Sequence, residues 1–326
     1  MWQEMKSGWL LGAVAFVLLV PQGPANSQAY PSQSITMTLP FAPGGSADLS
    51  VRIIGEKISA KLGQPVVIEN RPGAGGELAA SSVVRAAPDG YKLLATSNGP
   101  VVVVGNFRTI NYNPETDLVP VAMLVKVPAA IAVSASLQIR SIADLIKYSK
   151  EKIGGVSYGN AGVGTHMHLS GEIFRAKTGA NLIAVPYRGT ALIALAVKTG
   201  ETEMGVADLT SLMPFAAEGS IRILAIVDST RTSVAPEIPT VAESGVPGFG
   251  LDAWIGIFAP KGTPPDVVAR LNSSINEALS LPDVRERLVA AGLDPWRLST
   301  QEMSSFIKTD LARWSVLLRE ANVKIQ

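Results

Sequence analysis

Two stretches of this chain carry residue types suited to holding a small anion, and both read as turns between a strand and a helix. The first is Pro40-Phe41-Ala42-Pro43-Gly44-Gly45-Ser46-Ala47-Asp48. Its glycines let the backbone approach a ligand closely, and the unpaired N–H groups of a first helical turn favour negative charge. Ser46 and Asp48 are candidate N-caps. An ordinary strand-to-helix connection fits Gly44-Gly45 equally well. The second stretch is Gly159-Asn160-Ala161-Gly162-Val163-Gly164-Thr165-His166-Met167-His168, with the hydroxyl of Thr165 at a candidate N-cap. His166, His168 and Glu172 invite a metal reading, but one His-x-His and one carboxylate lack a third clear ligand, so no metal is expected. His168 is expected to hydrogen-bond within its own loop or helix.

Other chemistry-bearing residues stand at strand ends. Ala95-Thr96-Ser97-Asn98-Gly99 is like a nucleophile elbow without the first glycine of G-x-S-x-G. Ser97 and Asn98 therefore read as polar groups at the ligand edge of a sheet. A hydrolase built on Ser97 or Ser46 with His168 would also need an orienting carboxylate. Asp208 follows a strand-like run and either caps the segment from Leu209 or faces a cleft, where it would hold an amine, a hydroxyl or a water. Arg188, in Tyr187-Arg188-Gly189, serves either a ligand carboxylate or a surface ion pair. Asn70-Arg71-Pro72-Gly73-Ala74-Gly75-Gly76 has neither the Lys-Ser/Thr ending of a P-loop nor G-x-G-x-x-G spacing. It reads as a tight turn supporting the first half.

The elements that must position these residues alternate in type. Ile35, Met37 and Leu39 have the period of a strand, and Leu49, Ile53, Ile54, Ile58 and Leu62 the spacing of a helix face. Strands over 65–69 and 91–95 enclose a helix over 77–87, the rhythm of a parallel sheet with right-handed crossovers. Residues 118–133 form an extended passage that can carry the chain into a second domain. There a helix opening at the Ser141-Ile142-Ala143-Asp144 box runs to about Lys152. Strands follow over 156–158, 182–185, 203–207 and 221–227. A run of turn formers over 236–247 precedes a strand over 254–259 that returns to the first domain. Helices then start at Pro265, at Pro282 and at the Ser299–Glu302 box. Trp314 sits at core-like spacing in the last of them.

The chain has 326 residues, 47% of them hydrophobic, enough for a large core and two domains. A net charge of +1 gives no reason to expect a nucleic-acid partner, and the absence of cysteine excludes disulfides, thiolate catalysis and a lipidated cysteine. Lys6, the apolar run Trp9–Val20 and Ser27-Gln28-Ala29 have the order of a signal peptide. That predicts an exported, periplasmic chain beginning near Tyr30, with no membrane insertion of the mature part.

Six ordered motifs give the chain a specific likeness. They are Pro40–Asp48, Glu69–Gly76, Ala87-Pro88-Asp89-Gly90-Tyr91, Tyr158–Thr165, Val185-Pro186-Tyr187-Arg188-Gly189 and Ala259-Pro260-Lys261-Gly262-Thr263-Pro264. Together they resemble the Bug-type periplasmic solute-binding proteins of the tripartite tricarboxylate transporter systems, from about Tyr30 to the end. The resemblance implies an α/β, two-domain periplasmic-binding-protein-like fold (type II), each domain a mostly parallel sheet flanked by helices, with two interdomain crossings. The expected division is a signal peptide over 1–29, a first domain over 30–131 plus 252–326, and a second over 132–251. Ligand-binding residues are then expected at Phe41, Gly44, Gly45, Ser46, Ala47, Asp48, Ser97, Asn98, Gly162, Val163, Gly164, Thr165, His168, Arg188 and Asp208. Asn160 stands where a serine is frequent in such proteins. The implied function is capture of a small carboxylate-bearing solute in the interdomain cleft by a monomer. Delivery to the membrane subunits of a transporter follows, without cofactor and without catalysis; the alternative is an exported ligand-responsive partner of a sensor protein.

Overall fold

The computed structural model describes residue 2, residues 30–103, residue 105 and residues 109–320. The expected signal segment, Trp2 apart, lies outside the described residues. The first unit is β1 (Ile35–Leu39), α1 (Ser46–Leu62), β2 (Val66–Asn70), α2 (Glu77–Val84) and β3 (Lys92–Ser97). Its strands are parallel, in the order β2-β1-β3. Ile35, Met37 and Leu39 are buried as their alternation predicts, and Thr38 is buried too because its hydroxyl donates to Glu69 at 3.0 Å. Such burial on both faces is usual for a strand covered by helices. Val51, Ile54, Ile58 and Leu62 are the buried stripe of α1, which stops at Gly63 in a left-handed C-cap.

α3 (Pro114–Asp117) leads into β4 (Leu118–Lys126), and β5 (Ala129–Ser134) begins the second lobe. The crossing expected after residue 131 falls inside β5, which pairs entirely within the second sheet; the change of sheet is at Val127-Pro128. The second lobe continues with α4 (Ile142–Glu151), β6 (Val156–Asn160), α5 (His166–Thr178), β7 (Leu182–Pro186), α6 (Thr190–Thr199), β8 (Met204–Asp208), α7 (Leu209–Ala217) and β9 (Ile221–Ile226). β10 (Trp254–Pro260) returns to the first sheet, followed by α8 (Pro265–Ala278), α9 (Pro282–Ala290), β11 (Asp294–Pro295) and α10 (Thr300–Glu320).

The sheets have the orders β11-β4-β10-β3-β1-β2 and β7-β6-β8-β5-β9. Both are mixed rather than mostly parallel. β10 runs antiparallel to β3 and β4, and β5 antiparallel to β8 and β9. The reason is geometric: the βα units of each lobe point their strand carboxyl ends at the cleft, whereas a strand entering a lobe from the cleft must run away from it. β5 and β10 are those two entering strands.

One apolar cluster is continuous across the lobes. It joins Trp254, Met303, Ile307 and Trp314 of the first lobe to Ile131, Tyr158, Ile173 and Phe174 of the second. α10 makes the bridge, packing on β4 and also on α5. Trp314 is fully buried there, as its spacing predicts. Within α5, Gly171 lets the helix lie against Tyr158, since a Cβ at Gly171 would stand 2.2 Å from Tyr158 Cε2. Gly171→Ala should therefore destabilise the protein by about 1–3 kcal/mol through overpacking, more than the roughly 1 kcal/mol gained in helix propensity. A urea unfolding midpoint for the variant equal to or above that of the parent would contradict this.

Candidate functional site

The first turn is built around a buried carboxylate. Asp48, 5% exposed at its side chain, accepts hydrogen bonds from the backbone N–H of Gly44 at 3.0 Å, from Arg52 Nε at 2.9 Å and from Asn70 Nδ2 at 2.9 Å. Asn70 Nδ2 also donates to the carbonyl of Phe41 at 3.0 Å, and its Oδ1 accepts from Arg52 at 3.1 Å. Hydrogen bonding from Arg52, with help from Gly44 and Asn70, holds the Asp48 carboxyl down at about 2 despite burial. Neither expected side chain caps α1. Its N-cap is Gly45, with extended φ and no side-chain partner, so the first-turn amides beyond Gly45 are left open.

The second turn is closed on itself. Thr165 is the N-cap of α5, as expected: its hydroxyl donates to the Gly162 carbonyl at 2.7 Å and accepts from the His168 N–H at 3.4 Å. The Gly164 N–H donates to His168 Nδ1 at 3.3 Å, and the Gly162 N–H to Asn160 Oδ1 at 2.9 Å. Asn160 is 1% exposed and anchors the loop from behind, with its Nδ2 reaching Val185 O at 3.3 Å. His166, two residues from His168, has a different role. Its Nε2 lies 2.7 Å from the carbonyl of Leu251, on the return crossing, and its ring meets Trp314 edge-on. Burial pushes the imidazole of His166 below its usual range, so the neutral ring donates from Nε2. Glu172 is occupied by Tyr158 and Arg175.

Between the two turns lies a cavity of about 660 Å³. Phe41, Gly45, Ser46, Ala47, Ser97 and Asn98 reach it from the first lobe, and Val163, Gly164, Thr165 and Asp208 from the second. The remaining expected residues do not line it. Gly44, Asp48, Gly162 and His168 form the layer that shapes the two turns, and Arg188 is exposed outside the cavity. Asp208 stands at the N-cap position of α7, but its side chain makes no capping hydrogen bond; one of its oxygens accepts from Thr190 Oγ1 at 3.3 Å. Ser97 Oγ accepts from the Gly99 N–H at 3.3 Å, while Nδ1 of His168 is taken by Gly164.

Several lining residues carry no local signal of that role. Val127, Ala253, Trp254 and Ile255 arrive through the two crossings, and Gly99, Pro100 and Val103 through a wide helical turn after β3. Gly73 and Gly76 also line it, so the turn over 70–76 is part of the cavity wall as well as a support. Gly76 has φ +95°, and a Cβ on it would stand 2.4 Å from Pro100 Cγ, which fixes it as glycine. Among the described lining residues there is no lysine or arginine, and the only ionisable groups are His166 and Asp208. The cavity thus offers helix-start amides, a few hydroxyl and amide groups, and walls of Phe41, Pro100, Met167, Trp254 and Ile255.

Two α/β lobes around such a cleft define a solute-binding protein of the periplasmic-binding type. The chain belongs to the tripartite tricarboxylate transporter family receptors, whose family model matches residues 50–323. It is 34% identical over 305 residues to protein BugT of Bordetella pertussis, covering 93% of this chain and 94% of that one. Among solved structures, R. palustris Rpa4515 with adipate superposes with a TM-score of 0.78 at 33% identity, covering 90% of this chain and 99% of that one. MatC from Rhodopseudomonas palustris with bound malate gives 0.75 at 31%, covering 89% and 100%.

The first turn yields a stability test. The folded pKa of Asp48 lies below its unfolded value, so its contribution is present in full above about pH 4 and is lost as pH falls through about 2. Asp48→Asn should cost about 2 kcal/mol at neutral pH, and the gap to the parent should narrow toward pH 2. Urea midpoints of both proteins across that range measure it; a gap independent of pH would show that Asp48 is not the charged anchor of the turn.

Proposed function

We propose that this protein captures a small organic acid in the interlobe cleft and delivers it to the membrane subunits of a tripartite transporter. In this reading it acts in the periplasm as a monomer without a cofactor. The observation that carries the reading is the uncapped start of α1 opening onto a cleft cavity free, among the described residues, of lysine and arginine. An anion there is held by oriented backbone amides instead of a cation. Each helix-terminus interaction contributes roughly 0.3–2 kcal/mol, and each charge-assisted hydrogen bond roughly 1.5–3 kcal/mol. A handful of them reaches the roughly 8 kcal/mol of a micromolar site. Family membership and the adipate- and malate-bound relatives support the same class of ligand.

Closure favours the bound state because only the closed cleft brings α1 and the Gly162–Thr165 turn onto one ligand. A thermal-shift screen of mono-, di- and tricarboxylates and amino acids, run on protein unfolded and refolded to strip bound solute, should raise the melting temperature for at least one compound. No response to any of them would overturn the reading. For the compound found, Gly45→Val should weaken binding at least about tenfold, by loss of about 1.4 kcal/mol or more, with a stability cost of about 1 kcal/mol for the poorer N-cap. Gly45 has φ −82° and a Cβ there meets nothing within 4 Å, so the backbone admits the side chain, which then stands at the cavity wall between a ligand and the α1 amides. Thr165→Ala should weaken binding too, again at a stability cost of about 1 kcal/mol for the lost cap. Calorimetric titration showing unchanged affinity in both variants would place the ligand elsewhere.

A further inference from the structure

Asp208 is the one carboxylate among the described residues of the cavity wall, and no described cation neutralises it. It ends β8, in the lobe facing α1, and its backbone pairs with Ala129 beside the first crossing. Its Oδ2 accepts from Thr190 Oγ1 at 3.3 Å, a weak bond for a carboxylate, and Thr190 in turn lies 2.9 Å from Ser211. Its Oδ1 is shielded from solvent and has no hydrogen-bond partner. The neighbours on α6, α7 and β5 are therefore Thr190, Ser211 and Ala129, all uncharged, and no described charged side chain acts on the carboxyl. A buried carboxylate oxygen without a donor is costly, and the missing donor has to come from a proton or from a bound molecule.

We propose that Asp208 selects solutes whose end remote from the carboxylate carries a protonated amine, so that the cavity takes ω-amino acids and related zwitterions in preference to dicarboxylates. This rests on the cleft being the solute site. On the first-lobe wall the uncapped start of α1 takes the carboxylate. On the second-lobe wall an ammonium supplies both the donor and the countercharge that Asp208 lacks, as a charge-assisted hydrogen bond. The apolar side chains that share the lining suit a methylene chain. A dicarboxylate instead brings a second anion against Asp208 in a cavity with no described lysine or arginine to offset it. Burial raises the Asp208 carboxyl to about 6, so it remains mostly ionised at neutral pH and loses its charge below that.

The test is calorimetric titration of the refolded mature chain with matched sets: 4-aminobutyrate, butyrate and succinate, then 6-aminohexanoate, hexanoate and adipate. Near pH 8 the amine of at least one set should bind about ten- to hundredfold more tightly than its two partners. Asp208→Asn should bring that ratio close to one. In the parent protein the dicarboxylates should bind more tightly as pH falls from about 8 to about 6, as Asp208 takes up its proton; in Asp208→Asn that gain should disappear. A dicarboxylate or simple acid equal to its amine in every set, or a preference for the amine that survives Asp208→Asn, overturns the proposal while leaving the cleft as a carboxylate site. Silence from all six compounds overturns it as well. If the wider carboxylate screen is also silent, the proposed function falls with it.

Discussion

A chain that crosses its own ligand cleft twice must hold both crossings in register without filling the cleft, and buried charge does that here. The carboxylate of Asp252, 2% exposed, accepts from Ser229 Oγ at 2.7 Å and Arg313 at 2.6 Å, with Lys126 at 3.9 Å. Lys126 ends β4 just before the outgoing crossing, Asp252 lies on the return crossing, and Arg313 comes from α10. Arg313 also holds Asp310 at 2.8 Å, which accepts from Trp254 Nε1 at 3.0 Å. Burial alone would raise the Asp252 carboxyl; Arg313 and Lys126 outweigh it and hold it below its ordinary value. Asp228 is the opposite case, 1% exposed, with Oδ1 unpartnered and its carboxyl pushed well up by burial and by Asp252. Asp252 and Asp310 are the carboxylates that Arg313 holds, and Lys126 approaches Asp252 from the other crossing.

The same crossing is tied to the cavity from both lobes. Asn98 Nδ2, from the end of β3, donates to the carbonyl of Asp252 at 3.2 Å, and His166 Nε2, from the start of α5, to the carbonyl of Leu251. Both side chains also line the cleft. Two groups of the cavity wall, one from each lobe, therefore hold adjacent carbonyls of the return crossing.

Much of this was legible in the sequence wherever the controlling physics is local. The alternation of β1, the stripe of α1 apart from Leu49, which is exposed where Val51 is buried, the proline at the start of α8, the Ser141 and Ser299 caps and the Thr165 cap are all set within a few residues, and the structure has each of them. Gly45, Ser46, Ala47 and Gly164 were legible as residues of the cavity wall for the same reason. Asp48, expected at the ligand from the same local pattern, turns its carboxylate into its own loop, and His168, expected both there and in bonds within its loop, does the latter. Their partners Arg52, Asn70 and Gly164 compete for them, and no spacing rule says which contact wins. Trp254 and Val127 enter the site only because two crossings bring them there. Antiparallel entry of β5 and β10 is likewise a consequence of the cleft, invisible in any one segment.

The two turns look equivalent as sequence and differ as chemistry. Around Gly162–Thr165 the N–H groups of Gly162, Gly164, Thr165 and His168 are already bonded within the turn, whereas α1 begins at a glycine with no capping side chain. An anion placed between them gains most from the α1 amides, whose alternative partner is only water. The second turn then works mainly by shape, presenting Val163 and Gly164 on a frame that Asn160 and His168 keep rigid. Backbone amides at the α1 start answer to negative charge but say little about the rest of a molecule, whereas the side chains of the cavity wall, among them Met167, Trp254 and the carboxylate of Asp208, differ in size, polarity and charge.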